Sequence, residues 1–171
     1  MSFEKSVVFR CENEEYALPV ERVVSIEKIE QITPIPHLPN YLIGFTRNRG
    51  QLIPILDFSI ILYNKPSQLK TSQMIVLNSN VVNYGLFVNE AKEILDIQES
   101  ELIQTGLVNY SKTRYFTAIA NLQERMITCV DPDVLVNSLE GIREIIEYLH
   151  QILENEKNKK EARTTEFFQF F

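Results

Sequence analysis

Gly44-Phe45-Thr46-Arg47-Asn48-Arg49-Gly50-Gln51-Leu52-Ile53-Pro54-Ile55-Leu56-Asp57-Phe58 reads as two short apolar strands folded back on one another. Asn48-Arg49-Gly50 carries the turn chemistry, since a glycine reaches left-handed backbone without a Cβ penalty. Residues 42–46 supply one strand and 51–58 the other. Pro54 has no N–H to give a ladder, so its strand is predicted to lie at a sheet edge or to interrupt the pairing there.

The same pattern of short apolar runs between turn residues extends outward from residue 5 to residue 130. Residues 6–10 and 16–20 read as a hairpin around Asn13-Glu14-Glu15. Val23, Val24, Ile26 and Ile29 have mixed spacing, as a helical turn followed by a strand or as one element. Residues 63–71 are polar with one proline and read as a loop. Residues 74–77 and 84–88 are nearly continuous apolar strands joined at Asn78-Ser79-Asn80, and 94–97 continues the series. Residues 98–115 carry little periodic signal, as a loop with one short helix or strand. Residues 116–122 and 126–130 close the set, turning at Gln123-Glu124-Arg125. No βαβ alternation appears, so the predicted class is mainly β, a barrel or pair of small barrels.

After Asp131-Pro132 the period changes. Leu135, Leu139, Ile142, Ile145, Leu149 and Ile152 recur at three- and four-residue spacing, along one face of a helix. Asp131 reads as an N-cap with Pro132 at the first helical position. Gly141 interrupts the stretch and allows two helical pieces. The polar run ENEKNKKEAR follows, and then four Phe in the last five residues.

Composition excludes several functions. The 171 residues carry 17 Lys+Arg against 23 Asp+Glu, a net charge of −6, which argues against nucleic acid because phosphate binding needs a cationic surplus. Apolar runs fall short of the roughly 18–20 residues of a membrane helix, and no signal segment opens the chain. A soluble cytoplasmic protein is the expectation. Cys11 and Cys129 form no CxxC pair or zinc spacing, and neither His37 nor His150 has a ligand at metal spacing. Gly44, Gly50, Gly85, Gly106 and Gly141 never cluster into a phosphate-cradling loop, and there is no GxSxG elbow. No enzyme activity, cofactor or metal is predicted.

Ile32-Thr33-Pro34-Ile35-Pro36-His37-Leu38-Pro39, followed by residues 44–58, resembles the signature of the CheW family of bacterial chemotaxis coupling proteins, roughly T-P-[VI]-P-x-x-P and then G-V-[IT]-N-L-R-G-x-V-I-P-V-[VIL]-D-L. Glu14-Glu15-Tyr16-Ala17, Val23, Tyr84-Gly85-Leu86-Phe87-Val88 before Asn89, and residues 126–131 fall in the family's order, so the likeness covers about residues 7–136. The resemblance implies two intertwined five-stranded SH3-like barrels and a non-catalytic adaptor. Such an adaptor bridges the cytoplasmic tip of chemoreceptors to the regulatory domain of a CheA-type histidine kinase, in the cytoplasm at membrane receptor arrays, without inserting in the membrane itself.

By the same resemblance Arg49, Met74 and Ile94 fall to the receptor side, and Val23 and Gly44 to the kinase side. Gly50 supports the turn. The planar fork of Arg49 suits a carboxylate on the receptor tip; a turn-stabilising role, bonded to backbone carbonyls or to Asp57, is the alternative. Val23 could equally be core, Gly44 a turn, and Met74 and Ile94 buried scaffold. Arg47-Asn48 replaces the family's Asn-Leu, and Asn89 replaces an Asp.

The predicted organisation is a double-barrel domain over 1–136, a helix over 137–160 and a Phe-rich tail over 161–171. The helical stripe is expected to pack on the chain's own barrels; pairing with a partner helix, including self-association, is the second reading. The Phe cluster would dock on a strand edge or groove, or stay loose. The alternative function is a non-chemotactic or assembly scaffold on the same fold, acting through the helix and the Phe-rich tail.

Overall fold

A computed structural model of the chain describes residues 5–169 apart from Glu30, Leu69, Thr105 and Ser111. The strands are β1 (Lys5–Cys11), β2 (Glu14–Pro19), β3 (Val23–Glu27), β4 (Leu42–Asn48), β5 (Gln51–Asp57), β6 (Gln73–Leu77), β7 (Tyr84–Val88), β8 (Glu90–Asp96), β9 (Leu102–Gln104), β10 (Phe116–Leu122) and β11 (Arg125–Val130). The helices are α1 (Phe58–Tyr63), α2 (Pro132–Asn137) and α3 (Ile142–Gln169). One sheet has the order β8-β1-β2-β11-β10-β9 and the other β3-β6-β7-β5-β4. The chain starts the first sheet, builds all of the second, and returns to the first at Asn89, which intertwines the two. β11 runs parallel to β2, and β5 parallel to β7; the other pairings are antiparallel.

The mainly β, two-unit architecture is as the sequence predicts, with one correction. The first sheet has six strands rather than five, because the three-residue β9 pairs Leu102, Ile103 and Gln104 with Ala120, Ile119 and Ala118 of β10. Three residues are too few to leave a period in the sequence. A 3-10 turn, Val20–Arg22, precedes β3, so residues 20–29 are a helical turn followed by a strand.

Two other local differences have tertiary causes. The first hairpin turns at Glu12-Asn13 rather than at Asn13-Glu14-Glu15, with Cys11 opposite Glu14 and Glu12 at φ 56°. Positive φ at a Glu is uncommon, and partners from elsewhere hold it. The Glu12 N–H donates to Asn89 Oδ1 at 2.7 Å, and its carboxylate accepts from Ser59 Oγ at 2.7 Å and Lys65 Nζ at 3.3 Å. Pro54 sits on an interior strand. Phe45, opposite Pro54, exchanges its N–H and C=O with Thr33, so Phe45–Pro54 is a non-hydrogen-bonded pair. The nitrogen of Pro54 therefore faces the β7 side, where pairing begins only at Ile55. The ladder is interrupted there, and the strand is not an edge.

Apolar side chains form three clusters. One lies between the sheets, around Phe9, Tyr16, Phe58, Ile75, Tyr84 and Leu86. Each sheet also curls around its own, with Val8, Ala17, Ala120 and Ile127 in one and Ile53, Ile55, Val76 and Phe87 in the other. All five residues of β7 are buried: Tyr84, Leu86 and Val88 join the shared cluster and Phe87 the second sheet's own. A strand covered on both faces needs an unbroken apolar run, which is what residues 84–88 supply.

Asp131 caps α2 by accepting from Asp133 N at 2.9 Å and Val134 N at 3.2 Å, with Pro132 in the first turn. Gly141, at φ +80°, separates α2 from α3. Ile142, Ile145, Ile146 and Leu149 enter the shared cluster, and Leu153 packs against it. Each such buried side chain stabilises by roughly 1.5–3 kcal/mol, so the stripe faces the chain's own core. From Glu154 to Thr164 every residue but Glu156 is exposed. The helix set at 137–160 by sequence thus runs from Ile142 to Gln169. Phe170 and Phe171, half of the predicted Phe cluster, lie outside the described residues.

Candidate functional site

The β4–β5 hairpin projects a two-residue loop in which both Arg49 (φ 52°) and Gly50 (φ 79°) are left-handed. This is the primed turn whose twist matches antiparallel strands, and Gly50 takes its half without strain. Arg49 is exposed. Among the described residues no side chain or carbonyl pairs with it. Asp57, a candidate partner by sequence, is occupied elsewhere. It is 2% exposed and caps α1, accepting from Ser59 N at 3.0 Å, Ile60 N at 3.3 Å, Ser67 N at 2.9 Å and Ser67 Oγ at 2.7 Å.

The two residues before Arg49 face other elements. Arg47 forms an ion pair with Glu156 of α3. Asn48 Nδ2 donates to Glu27 Oε2, which also accepts from Ser25 Oγ at 2.9 Å. The Asn48–Glu27 contact joins β3 and β4, the two ends of the five-stranded sheet, and so holds its curl. Between the hairpin, residues 28–35 and α3 lies a groove of about 1030 Å³, with Phe45, Met74, Tyr148 and Ile152 among its walls.

Of the residues assigned to the receptor side, Met74 is 4% exposed and lines this groove beside Arg47 and Asn48, next to the Arg49 turn. Ile94 does not join them. It is 62% exposed on β8 at the edge of the other sheet, opposite Val7. Val23 and Gly44 both lie in the five-stranded sheet. Val23 is half-buried, opens β3 opposite Leu77 and packs against the shared cluster. Gly44 is buried in β4 at a register shift, not in a turn. A Cβ there would lie 2.5 Å from the Thr33 carbonyl oxygen and 2.8 Å from Ile32 Cγ2, so close approach of residues 32–33 requires the glycine.

Two charged networks brace this scaffold. Arg22 donates Nη1 to Asp133 Oδ2 at 3.0 Å, Nη2 to Asp133 Oδ1, and Nε to Asn78 Oδ1 at 2.8 Å, while Asn80 N donates to Asp133 Oδ1 at 2.9 Å. The Arg22 guanidinium holds the Asp133 carboxyl below the usual carboxylate range. Across the other sheet Arg125 grips Glu15 with Nε at 3.1 Å and Nη2 at 2.6 Å and reaches Glu93 at 2.7 Å, which lowers the Glu15 carboxyl likewise. Burial pushes the Cys11 thiol up to about 12 and the Cys129 thiol to about 11.

Sequence alone singles out neither Tyr148 nor the Arg47–Glu156 pair, and it places Ile152 only in the helical stripe. Tyr148 and Ile152 follow the helical stripe, and their place on a groove wall depends on where α3 lands. Among the described residues no group of three or more His, Cys, Asp or Glu is placed to hold a metal ion, and no helix is long and apolar enough to cross a membrane.

A family model described as the CheW-like domain matches residues 5–140. Over 139 residues the chain is 27% identical to a chemotaxis protein CheW of Klebsiella aerogenes, covering 80% of this chain and 84% of that one. Over 138 residues it is 29% identical to the Rhizobium meliloti chemotaxis protein CheW, covering 78% and 88%. The crystal structure of the scaffolding protein TtCheW from Thermoanaerobacter tengcongensis superposes with a TM-score of 0.69 at 26% identity, covering 78% of this chain and 87% of that one. Two intertwined sheets, the ordered signature and a match over residues 5–140 make the chain a member of the CheW-like family.

Proposed function

We propose that this protein is a non-catalytic adaptor that couples chemoreceptors to a CheA-type histidine kinase through two protein surfaces. The observation that carries the reading is the unpaired, exposed Arg49 at the tip of the signature hairpin in a chain of this family. An arginine kept out of intramolecular pairs on a rigid hairpin keeps its fork for a partner carboxylate. The receptor side is Arg49 with Met74 at the groove, and Ile94 on the far sheet. The kinase side is Val23, near the surface of the five-stranded unit, and Gly44, which acts through residues 32–33. Signalling is then a change in assembly geometry that shifts kinase populations, at the cytoplasmic side of receptor arrays.

Capture by the organism's own CheA-type kinase, and separately by a soluble receptor cytoplasmic hairpin, tests this directly. Arg49→Ala removes charge-assisted hydrogen bonds worth roughly 1.5–3 kcal/mol, so receptor binding should weaken about 10- to 100-fold while kinase capture holds. A folded wild-type chain that captured no kinase would refute the coupling function. Capture of kinase but never receptor would favour a scaffold working through its C-terminal helix, a reading that draws on the exposure of residues 157–164.

A further inference from the structure

Past Leu153 the α3 helix leaves the body of the protein. From Lys157 to Thr164, more than two turns, every residue is exposed, so no face of that stretch is covered by either sheet. At 1.5 Å per residue the helix carries Phe167 and Phe168 roughly 40 Å along its axis from Gly141. The sequence there is Phe167-Phe168-Gln169-Phe170-Phe171, four aromatic residues in five and no charged side chain. An apolar segment of this kind needs a surface to cover it, and the helix holds it away from the chain's own core. Four Phe side chains, at roughly 150–250 Å² each, approach the area of about 800 Å² per partner of a standard specific interface.

A matching surface lies at the other end of the same helix. A groove of about 780 Å³ opens between α1, residues 39–41, Lys112 and the α2–α3 junction. Tyr41 and Tyr115, both buried, form its floor, and the half-buried Pro39, Ile60, Ile61 and Leu139 form its walls. The charges in its lining, Lys112 and Glu140, offset one another. Just beyond it the first turns of α3 expose Glu144 and Glu147 beside Arg143. The arm that carries the Phe segment has the opposite sign: Lys157, Lys159, Lys160 and Arg163 against Glu161 and Glu166, in a chain of net charge −6. These cations stand ahead of the last turn, the one place at this end where the helix dipole would favour them. We propose that the Phe167–Phe171 segment of one copy docks in this groove of a second copy. Segment and groove are different surfaces roughly 40 Å apart on one chain, so the contact is head-to-tail and each bound pair keeps one free arm and one free groove. The arm's cations steer it toward the acidic start of the partner's α3, and the aromatic segment anchors in the groove. None of Arg49, Met74, Ile94, Val23 and Gly44 lines this groove, so the proposal stands independently of the adaptor reading.

Sedimentation of the full chain over a concentration series tests this. Wild type is expected to associate as its concentration rises, and a chain carrying both Phe167→Ser and Phe168→Ser, changed beyond the packed part of α3, to associate at least tenfold more weakly. Ile61→Glu should weaken association likewise, with circular dichroism confirming that it folds. A mixture of the two variants has one intact segment and one intact groove per pair and should stop at a heterodimer. Crosslinking gives a readout that small changes in stability do not move. Native Cys11 and Cys129 are buried, so a bismaleimide should join Gln169→Cys of one chain to Ser138→Cys, at the exposed rim of the groove, of another. A wild-type chain that stayed monomeric throughout the series would overturn the proposal. Association that survived the Phe substitutions, or a crosslink between two Gln169→Cys chains with none to Ser138→Cys, would overturn it in favour of another self-contact. An intrachain crosslink in a chain carrying both new cysteines, without association, would overturn it in favour of a segment that folds back on its own chain.

Discussion

Asp133→Ala should destabilise the fold by about 2–3 kcal/mol. Asp133 sits on α2, and its carboxylate is shared between Arg22, which ends the turn before β3, and the backbone of Asn80 in the β6–β7 connection. The side chains of Arg22 and Asp133 are only 19% and 23% exposed, so the pair is largely shielded from water. Charge-assisted hydrogen bonds contribute roughly 1.5–3 kcal/mol net, and the Asn80 amide adds about 0.5–1.5. Arg22 keeps its two bonds to Asn78, which holds the loss toward the lower end of that sum. For a chain of this length the melting temperature should fall by about 5–10 °C. Asp133→Asn keeps an acceptor for Asn80 but loses the charge, so its loss should be intermediate. The pH dependence follows from the direction of the shift. Because Arg22 holds the folded carboxyl low, the unfolded chain takes up the proton first as pH falls. The stabilisation is complete above the unfolded value near pH ~4 and disappears as pH drops through the folded one. Urea titrations of wild type, Asp133→Ala and Asp133→Asn at pH 7 and at successively lower pH supply the numbers. An Asp133→Ala chain within 0.5 kcal/mol of wild type, or a wild-type to Asp133→Asn gap that failed to narrow in acid, would refute the reasoning.

The two close-approach glycines should differ. Gly44→Ala drives a Cβ against the Thr33 backbone carbonyl and should cost about 2–3 kcal/mol in denaturant melts. Gly85→Ala meets the flexible Met74 side chain instead, so about 1 kcal/mol is expected, with Met74 displaced toward the groove. Arg47→Ala breaks an exposed pair and should change stability by about 0.5 kcal/mol or less, and high salt should produce the same small effect in wild type. Cys11 and Cys129, buried and with raised thiols, should react with a thiol reagent at neutral pH only as fast as the chain opens, which stopped labelling at increasing urea would show.

What could be read from the sequence was what short-range chemistry determines. The β4–β5 hairpin follows from a two-residue primed turn between apolar strands, the α2 cap from Asp131 before Pro132, and the α2–α3 break from Gly141, each within a few residues. What escaped was set by partners far along the chain. The first turn shifts to Glu12 because Asn89 accepts its N–H from 77 residues away. By motif Asn89 is only a departure from a family aspartate, and its side-chain carbonyl accepts a hydrogen bond that a carboxylate could also accept. The candidate site divides in the same way. Arg49 could be found by motif, whereas nothing local could tell that Gly44 is pressed by residues 32–33 or that Ile94 lies on the other sheet from Met74.

Arg47 carries the point furthest. By motif alone it is an unexplained charge where the family has a neutral residue, and the helix past Leu153 is an unexplained extension. In the fold the two meet, Arg47 on Glu156 across 109 residues of sequence. An arginine at position 47 without the helix would stand unpaired beside Lys28 in the groove. A helix carrying Glu156 without Arg47 would leave an unpaired carboxylate on the groove wall. Each departure compensates the charge of the other, so they are best understood as one change that adds a helical wall to the hairpin while leaving Arg49 free.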